Sequence, residues 1–436
     1  MMLRPLLSFF LALGSFLATT LWGLHLDVSA PSAVLVRAAD GRPLWSKGEN
    51  VRRPPASLTK IATAWWILRQ YGDRLEELVP IPAGALVMLS RAERERSNPW
   101  ARESGDLNIE LRAGEILTVR SLLEGMLLRS AGDAANALAW HFGKGSISSF
   151  MEELNRGLQQ ELGLRDTQFL NPHGHEHRDH YSTAGDLARI AVAASKDPEF
   201  SRIVALPSYQ RPATELHNGQ RLRSTNPLLW PGPYFHPHAK GMKTGYTTKA
   251  GACLIASADN GTRSVIYVSL ASHGPSRWND ARHAIDLAFQ EKPAMRTYHL
   301  GGLIGKPRAI HGGRHPVQGM LIHPLRIARF PSEERPVSLE INWDTNLRPP
   351  ILREQVLGIV RLVDEGGEVL AEATLAAAAD VPATWTYRMS TLWKHWGWKG
   401  QVALLGSLFL SIAVWLWALL YCSKRETATT RATDPS

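Results

Sequence analysis

The chain has 436 residues, 44% of them hydrophobic and 20% charged, which suits two or three folded units and excludes a mainly disordered protein. Two cysteines, Cys253 and Cys422, exclude a disulfide scaffold and a cysteine-rich zinc module. The 49 Lys and Arg against 40 Asp and Glu give a net charge of +9 without a long basic run, so nucleic acid is not the expected partner.

From the N-terminus, Pro5 to Leu24 is uncharged and follows Arg4, a pattern shared by secretory signals and signal anchors. Ser32-Ala33-Val34-Leu35-Val36, the turn Ala39-Asp40-Gly41-Arg42 and Pro43-Leu44-Trp45 predict a hairpin. Ser57 then opens a helix with Ile61, Ala64, Trp65 and Leu68 on one face and Gly72 as its stop. Further helices are predicted over Leu117 to Leu128, Asp133 to Phe142, Phe150 to Leu162 and Ser182 to Ala194. Ala252 to Ala256 and Ser264 to Val268 read as strands joined by Asn260-Gly261, and Arg277 to Phe289 as a closing helix. Strands at both ends with helices between predict an α+β domain over 26–293, its sheet built from distant parts of the chain. Val337 to Ile341, Val356 to Val363 and Val369 to Leu375 predict a small all-β domain over 294–382.

The last fifty or so residues change character again. Residues 383–400 are rich in Trp (Trp385, Trp393, Trp396, Trp398) with Arg388, Lys394 and Lys399 among them, as expected of a segment lying on a membrane surface. Gln401 to Cys422 is uncharged and matches the ~20 residues that cross a bilayer core. This predicts a transmembrane helix over 401–422, a cytoplasmic tail over 423–436 and an exported bulk, with 1–25 as signal peptide or anchor.

Three short segments carry chemistry. Ser57 and Lys60 stand three apart at a helix start, so the amine reaches the hydroxyl within one turn. A serine hydroxyl needs a base to become a nucleophile, and a lysine serves only if its pKa is lowered. Alone, Ser57 is an ordinary helix cap. Lys243-Thr244-Gly245 on an edge strand suits a substrate ending in a carboxylate: the ammonium supplies charge, the hydroxyl a hydrogen bond, and the glycine clears space for a peptide. Ser130, in LLRSAGDAANALA, sits in a loop before a helix.

Ser-x-x-Lys, a Ser-led loop and Lys-Thr-Gly, in that order, are the signature set of penicillin-recognising serine enzymes. The stretches RRPPASLTKIATA, LTVRSLLEGMLLRSAGDAANALA, LGLRDTQFLNPHG, YSTAGDLARIA and GMKTGYTTKAGACLIASA resemble the low-molecular-mass penicillin-binding proteins, the serine D-alanyl-D-alanine carboxypeptidases. The likeness runs from Ser32 to Phe289 and extends weakly into the β domain. It implies a penicillin-binding-protein/β-lactamase-like fold with an antiparallel sheet and a helical region. It implies Ser57 as acylated nucleophile, Lys60 as its base and Ser130 as proton relay to the leaving amine. Lys243, Thr244 and Gly245 would serve the substrate carboxylate, and the backbone N–H groups of Ser57 and Tyr246 the oxyanion. The implied partners are peptidoglycan stem peptides, β-lactams as covalent inhibitors and a lipid bilayer, with no metal and no cofactor. The implied activity is removal of the terminal D-alanine from stem pentapeptides. A DD-endopeptidase and a catalytically impaired peptidoglycan-binding scaffold are the alternatives.

The chain departs from the resemblance at one point. The family's second motif is Ser-x-Asn, and here Ser130-Ala131-Gly132 lacks the amide that would contact substrate or orient Lys60. Asn136 lies a helical turn too far on, and Asp133 is expected to cap the following helix. His173, His175, His177 and His180 have the look of a metal tract but are read as a solvated loop. Glu152-Glu153-Leu154-Asn155 is read as an amphipathic helix, with Met151 where a β-lactamase deacylating Glu would stand, and Cys253 as an inert core thiol.

Overall fold

The computed structural model describes residues 24–429. They form two compact units, one running to Pro293 and taking in Phe330–Glu334, the other comprising Ala294–Arg329 and the chain from Arg335 onward. Phe330–Glu334 joins the first unit through side chains: Glu333 pairs with Arg263 at 2.8 Å and Arg37 at 3.2 Å, and Ser332 Oγ donates to Glu291 at 2.5 Å.

The first unit is built on a five-stranded antiparallel sheet. Its strand order is Pro43–Lys47, Ser32–Arg37, Ser264–Ser272, Gly251–Asp259 and Ala239–Thr247. The first two strands are the predicted hairpin, turned by Asp40, whose carboxylate accepts from the Arg42 N–H at 3.1 Å. Ser32–Arg37 pairs in turn with Ser264–Ser272, the last strand of the unit, which makes the domain α+β as expected. Gly251–Asp259 and Ser264–Ser272 are buried on both faces along almost their whole length. Trp278, Ala281 and Ile285 of the helix Ser276–Gln290 cover one face, against Leu254, Val265 and Tyr267. On the other, Cys253, Ile255, Ile266 and Val268 belong to the large core shared with helices Thr59–Tyr71, Val119–Leu128 and Ala184–Ser195.

Several helix starts differ from the sequence pattern by two or three residues, and two of them bear on the site. The first helix begins at Thr59, so Ser57 falls in a preceding 3-10 turn, Ala56–Leu58, and neither element has a side-chain cap. Ser57 is therefore not a helix cap. The next predicted helix starts at Val119, because Ile116–Thr118 pairs as a short strand with Leu78–Pro80 and Thr118 then caps the helix through the Ser121 N–H. The helix Arg91–Ser97, opened by a reciprocal capping box of Ser90 and Glu93, has a charged sequence with no apolar face to mark it.

In the second unit a five-stranded sheet has the order Gly302–Arg308, Val317–Leu321, Val369–Ala377, Val356–Asp364, Val337–Trp343. A two-stranded ribbon, Ala294–His299 with Leu325–Arg329, completes it. Val317, Leu321, Leu357, Val360, Leu362 and Leu375 form its core. The helix Trp385–His395 follows, and Gly397, with φ 60°, separates it from Gly397–Thr429. Within the latter, Gly400–Leu420 has a mean hydropathy of 2.2 and is the one helix among the described residues long and apolar enough to cross a membrane. Most of the N-terminal apolar stretch, residues 1–23, lies outside the described residues, as do residues 430–436 of the tail.

Candidate active site

The three chemistry-bearing segments meet in one cleft of about 340 Å³, lined among others by Ser57, Lys60, Ser130, Gly132, Thr244, Gly245 and Tyr246. The turn that presents Ser57 is strained: Ala56, just before it, has φ 49°, which an L-residue adopts at a cost of about 1–3 kcal/mol. The surrounding structure enforces this turn. Thr59 Oγ1 donates to the Ala56 carbonyl at 3.0 Å, and His180 donates from Nε2 to Thr59 Oγ1 at 2.9 Å, its Nδ1 being occupied by the Leu170 N–H. Two glycines let neighbouring backbone press against the turn. A Cβ on Gly174 would fall 1.9 Å from the Ala56 oxygen, and one on Gly245 would fall 3.1 Å from Ala56 Cβ and 3.2 Å from the Ser57 nitrogen. The glycine of Lys243-Thr244-Gly245, which also lines the cleft, thus makes room for the serine turn.

Lys60 Nζ donates to Ser57 Oγ at 3.0 Å and to the His173 carbonyl at 2.6 Å. Its side chain is buried, and burial pulls its pKa down to about 7 against the opposing charges of Asp106 and Asp133. A neutral amine against a serine hydroxyl is thereby available near neutral pH. Lys243 is also buried, one strand residue from Thr244, and donates to the Thr244 carbonyl at 2.9 Å. Burial, with help from the nearby Lys60 and Arg277 charges, holds its pKa well below the ordinary lysine range. Ser130 is buried with φ 64°, at the start of the helix Gly132–Phe142.

Other wall residues lie outside the three motifs. Arg277 lines the cleft and donates to the Gly245 carbonyl at 2.7 Å. Thr225 shares a 2.7 Å hydrogen bond with Thr244 between their hydroxyls. Asp106 and His175 line the cleft and are hydrogen-bonded to each other. The spacing of Arg277, Thr225 and Asp106 from the three motifs carries no local pattern, so only folding reveals them.

The histidine tract is not a solvated loop. His173 and His180 are buried, His173 bonding the Trp100 carbonyl at 2.9 Å while its own carbonyl receives Lys60. Burial holds His180 down to about 3 and His173 well below the ordinary range, so both are neutral scaffolding behind the serine turn. The sequence shows only a row of polar rings, whereas His173 and His180 can be buried because each ring finds a backbone partner, the Trp100 carbonyl and the Leu170 N–H. Asp133 is likewise no cap of the expected kind: Ala131 holds the N-cap position, and Asp133 accepts from the N–H groups of Ile109 at 3.2 Å, Leu111 at 3.1 Å and Ala134 at 2.9 Å. It bolts the 106–111 loop to the helix start. Asn136 is turned away, its amide donating to the Ala85 and Trp100 carbonyls at 3.1 and 3.0 Å. Cys253 is buried and its thiol is pushed up to about 11 by that burial.

Comparison with known proteins gives this cleft a context. The sequence model of the D-alanyl-D-alanine carboxypeptidases matches residues 19–274. The D-alanyl-D-alanine carboxypeptidase DacF of Bacillus subtilis is 31% identical over 355 residues, covering 81% of this chain and 86% of its own. The corresponding DacA of Haemophilus influenzae is 28% identical over 365 residues, 81% of this chain and 86% of its own. Among solved structures, penicillin binding protein 5 from Haemophilus influenzae superposes with a TM-score of 0.56 at 26% identity, over 82% of this chain and 99% of that one. A Streptomyces DD-transpeptidase gives 0.53 at 30% identity, over 61% of this chain and 99% of its own. With its sheet, its helical region and its cleft accounted for in this way, the chain belongs to the D-alanyl-D-alanine carboxypeptidase family and is a serine hydrolase of that family.

Proposed function

We propose that the protein removes the terminal D-alanine from peptidoglycan stem pentapeptides through an acyl-enzyme on Ser57. Lys60 Nζ accepts the Ser57 proton as Oγ adds to the carbonyl carbon of the penultimate D-alanine. The N–H groups of Ser57 and Tyr246 face the developing oxyanion, where one donor is worth about 3 kcal/mol. The C–N bond then breaks, and Ser130 passes a proton to the leaving D-alanine amine. Water hydrolyses the ester, returning the proton to Oγ and releasing the shortened stem peptide. Thr244 and Lys243 bind the terminal carboxylate together with Arg277, and the arriving anion favours a charged Lys243 despite its burial.

The observation that carries this reading is the 3.0 Å contact from a buried Lys60 amine to Ser57 Oγ. Because the base works unprotonated, acylation should rise with pH through about 7. The apolar helix Gly400–Leu420 supports a membrane anchor, with the catalytic unit on the extracytoplasmic side, the Trp-rich helix Trp385–His395 at the bilayer surface and a short tail inside. β-Lactams are the expected covalent inhibitors.

Incubation with a fluorescent penicillin tests the assignment. A covalent adduct should form on the wild-type chain and vanish in Ser57→Ala; a folded wild-type chain that takes up no label would mean a binding scaffold instead. Free D-alanine released from a pentapeptide marks a carboxypeptidase, and loss of cross-linked dimers marks an endopeptidase.

A further inference from the structure

The gap left by Gly132 has particular neighbours. A Cβ there would meet Arg102 Cδ at 3.3 Å, His173 Cβ at 3.8 Å and the Leu107 oxygen at 3.8 Å. The stem of Arg102 thus occupies part of the space a side chain at 132 would take. The other two contacts lie in segments that each send one more polar residue into the cleft: Asp106, beside Leu107, and His175, two beyond His173.

Both residues are held from several sides. Asp106 accepts from the Glu103 N–H at 3.0 Å, its carbonyl receives Asn108 Nδ2 at 2.8 Å, and the next carbonyl, Leu107, receives the Gly132 N–H at 2.9 Å. The His175 N–H is bound by Asn171 Oδ1 at 3.1 Å, and its ring Nε2 bonds the Asp106 carboxylate. Among the two carboxylates whose charge reaches Lys60, Asp133 is spent on backbone N–H groups, whereas Asp106 faces the cleft. Burial works to raise the Asp106 pKa, but the His175 hydrogen bond and charge outweigh it and keep the carboxylate ionised.

We propose that Asp106, oriented by His175, is a positioning residue for Lys60, supplying from the 103–108 turn the polar influence that position 132 lacks. The carboxylate stabilises the Lys60 ammonium that forms when Ser57 gives up its proton, and so keeps that proton within the site until the leaving amine takes it. The proposal rests on Lys60 as the base. Of the other ionisable groups nearby, Asp133 acts on Lys60 and His173, His180 and Lys243 feel the Lys60 charge, but only His175 both lines the cleft and bonds Asp106.

The test is the pH dependence of the second-order rate of penicillin labelling on the full chain. Asp106→Asn keeps the shape and removes the charge, so the acid limb should move about 0.5–1.5 units lower in pH. Asp106→Ser, a second neutral variant, should do the same should the first fail to fold, and Asp106→Glu should restore the limb. A rate that falls equally at every pH with the limb unmoved would overturn the proposal. So would loss of the limb in His175→Asn, which would assign the titration to the imidazole. Lys60→Ala, run in parallel, separates the two readings: unimpaired labelling there sinks Lys60 as base, while lost labelling keeps the limb with Lys60, so that its shift in the Asp106 variants reports the Asp106 charge.

Discussion

The two sheets of this molecule are built from similar residues and used differently. In the first unit the central strands are covered on both faces, and the edge strand Ala239–Thr247 still buries five consecutive residues, Gly241 to Gly245. In the second, Val337–Trp343 and Val369–Ala377 leave several residues exposed, and Arg361 and Glu372 pair at 2.7 Å in the open. A dry edge can hold Lys243 and, across the cleft, Lys60 in protonation states that water would not allow. A half-wet sheet cannot, because exposed ion pairs are screened and contribute little. The lesson is that the reactive groups depend on the layers packed behind them.

Substitutions that separate chemistry from packing sharpen this contrast. The largest effect is the loss of labelling in Ser57→Ala, with the fold intact. Next comes the buried pair Arg211–Glu115, 2.7 Å apart with both side chains fully buried, where Arg211 also donates to the Ile109 carbonyl at 2.7 Å behind the Asp106 loop. Glu115→Ala leaves a buried guanidinium unpaired and should cost about 3–5 kcal/mol by denaturant unfolding. Burial tends to raise the Glu115 pKa, but Thr214, the Arg112 N–H and Arg211 outweigh it. The sign follows: this contribution is present above the ordinary glutamate range and is lost as pH falls through the lowered folded value. Equal stability of the variant and wild type at pH 7 would break the account.

In the second unit the comparable loss is purely apolar. Leu375→Ala removes a fully buried side chain from the β core and should cost about 2–5 kcal/mol with no pH dependence of its own. A pH-dependent loss would blur the contrast between the two sheets. The smallest effect is expected at Gly132→Asn. The new Cβ presses on the flexible Arg102 stem at 3.3 Å, so any gain from the restored amide is offset by displacing that side chain. The labelling rate should change by less than about tenfold, or ~1.4 kcal/mol. A larger gain would show that the 103–108 turn does not compensate for the missing amide.

Much of this was legible beforehand because the signals are local. The helical period of Ile61, Ala64, Trp65 and Leu68 shows in the helix Thr59–Tyr71, and the strand runs around Cys253 and Val265 lie at the centre of the sheet. The strands Gly302–Arg308 and Leu325–Arg329 were not legible, since their glycines and arginines mask the alternation on which a strand reading depends. The histidine tract misled for a related reason: sequence shows a polar residue, while its burial depends on backbone partners such as the Trp100 carbonyl and the Leu170 N–H, far along the chain or hidden in the turn.

Sequence alone determined the α+β class, the apolar C-terminal helix and the three motifs, because periodicity, hydropathy and short spacings need no knowledge of the rest of the chain. Tertiary structure alone decided that Ala56 is forced into a left-handed turn, that two lysines lose their water, and that Asp106 and Arg102 stand around Gly132. Each of these is a matter of what fills the space beside a residue, and that is set by segments tens of residues away.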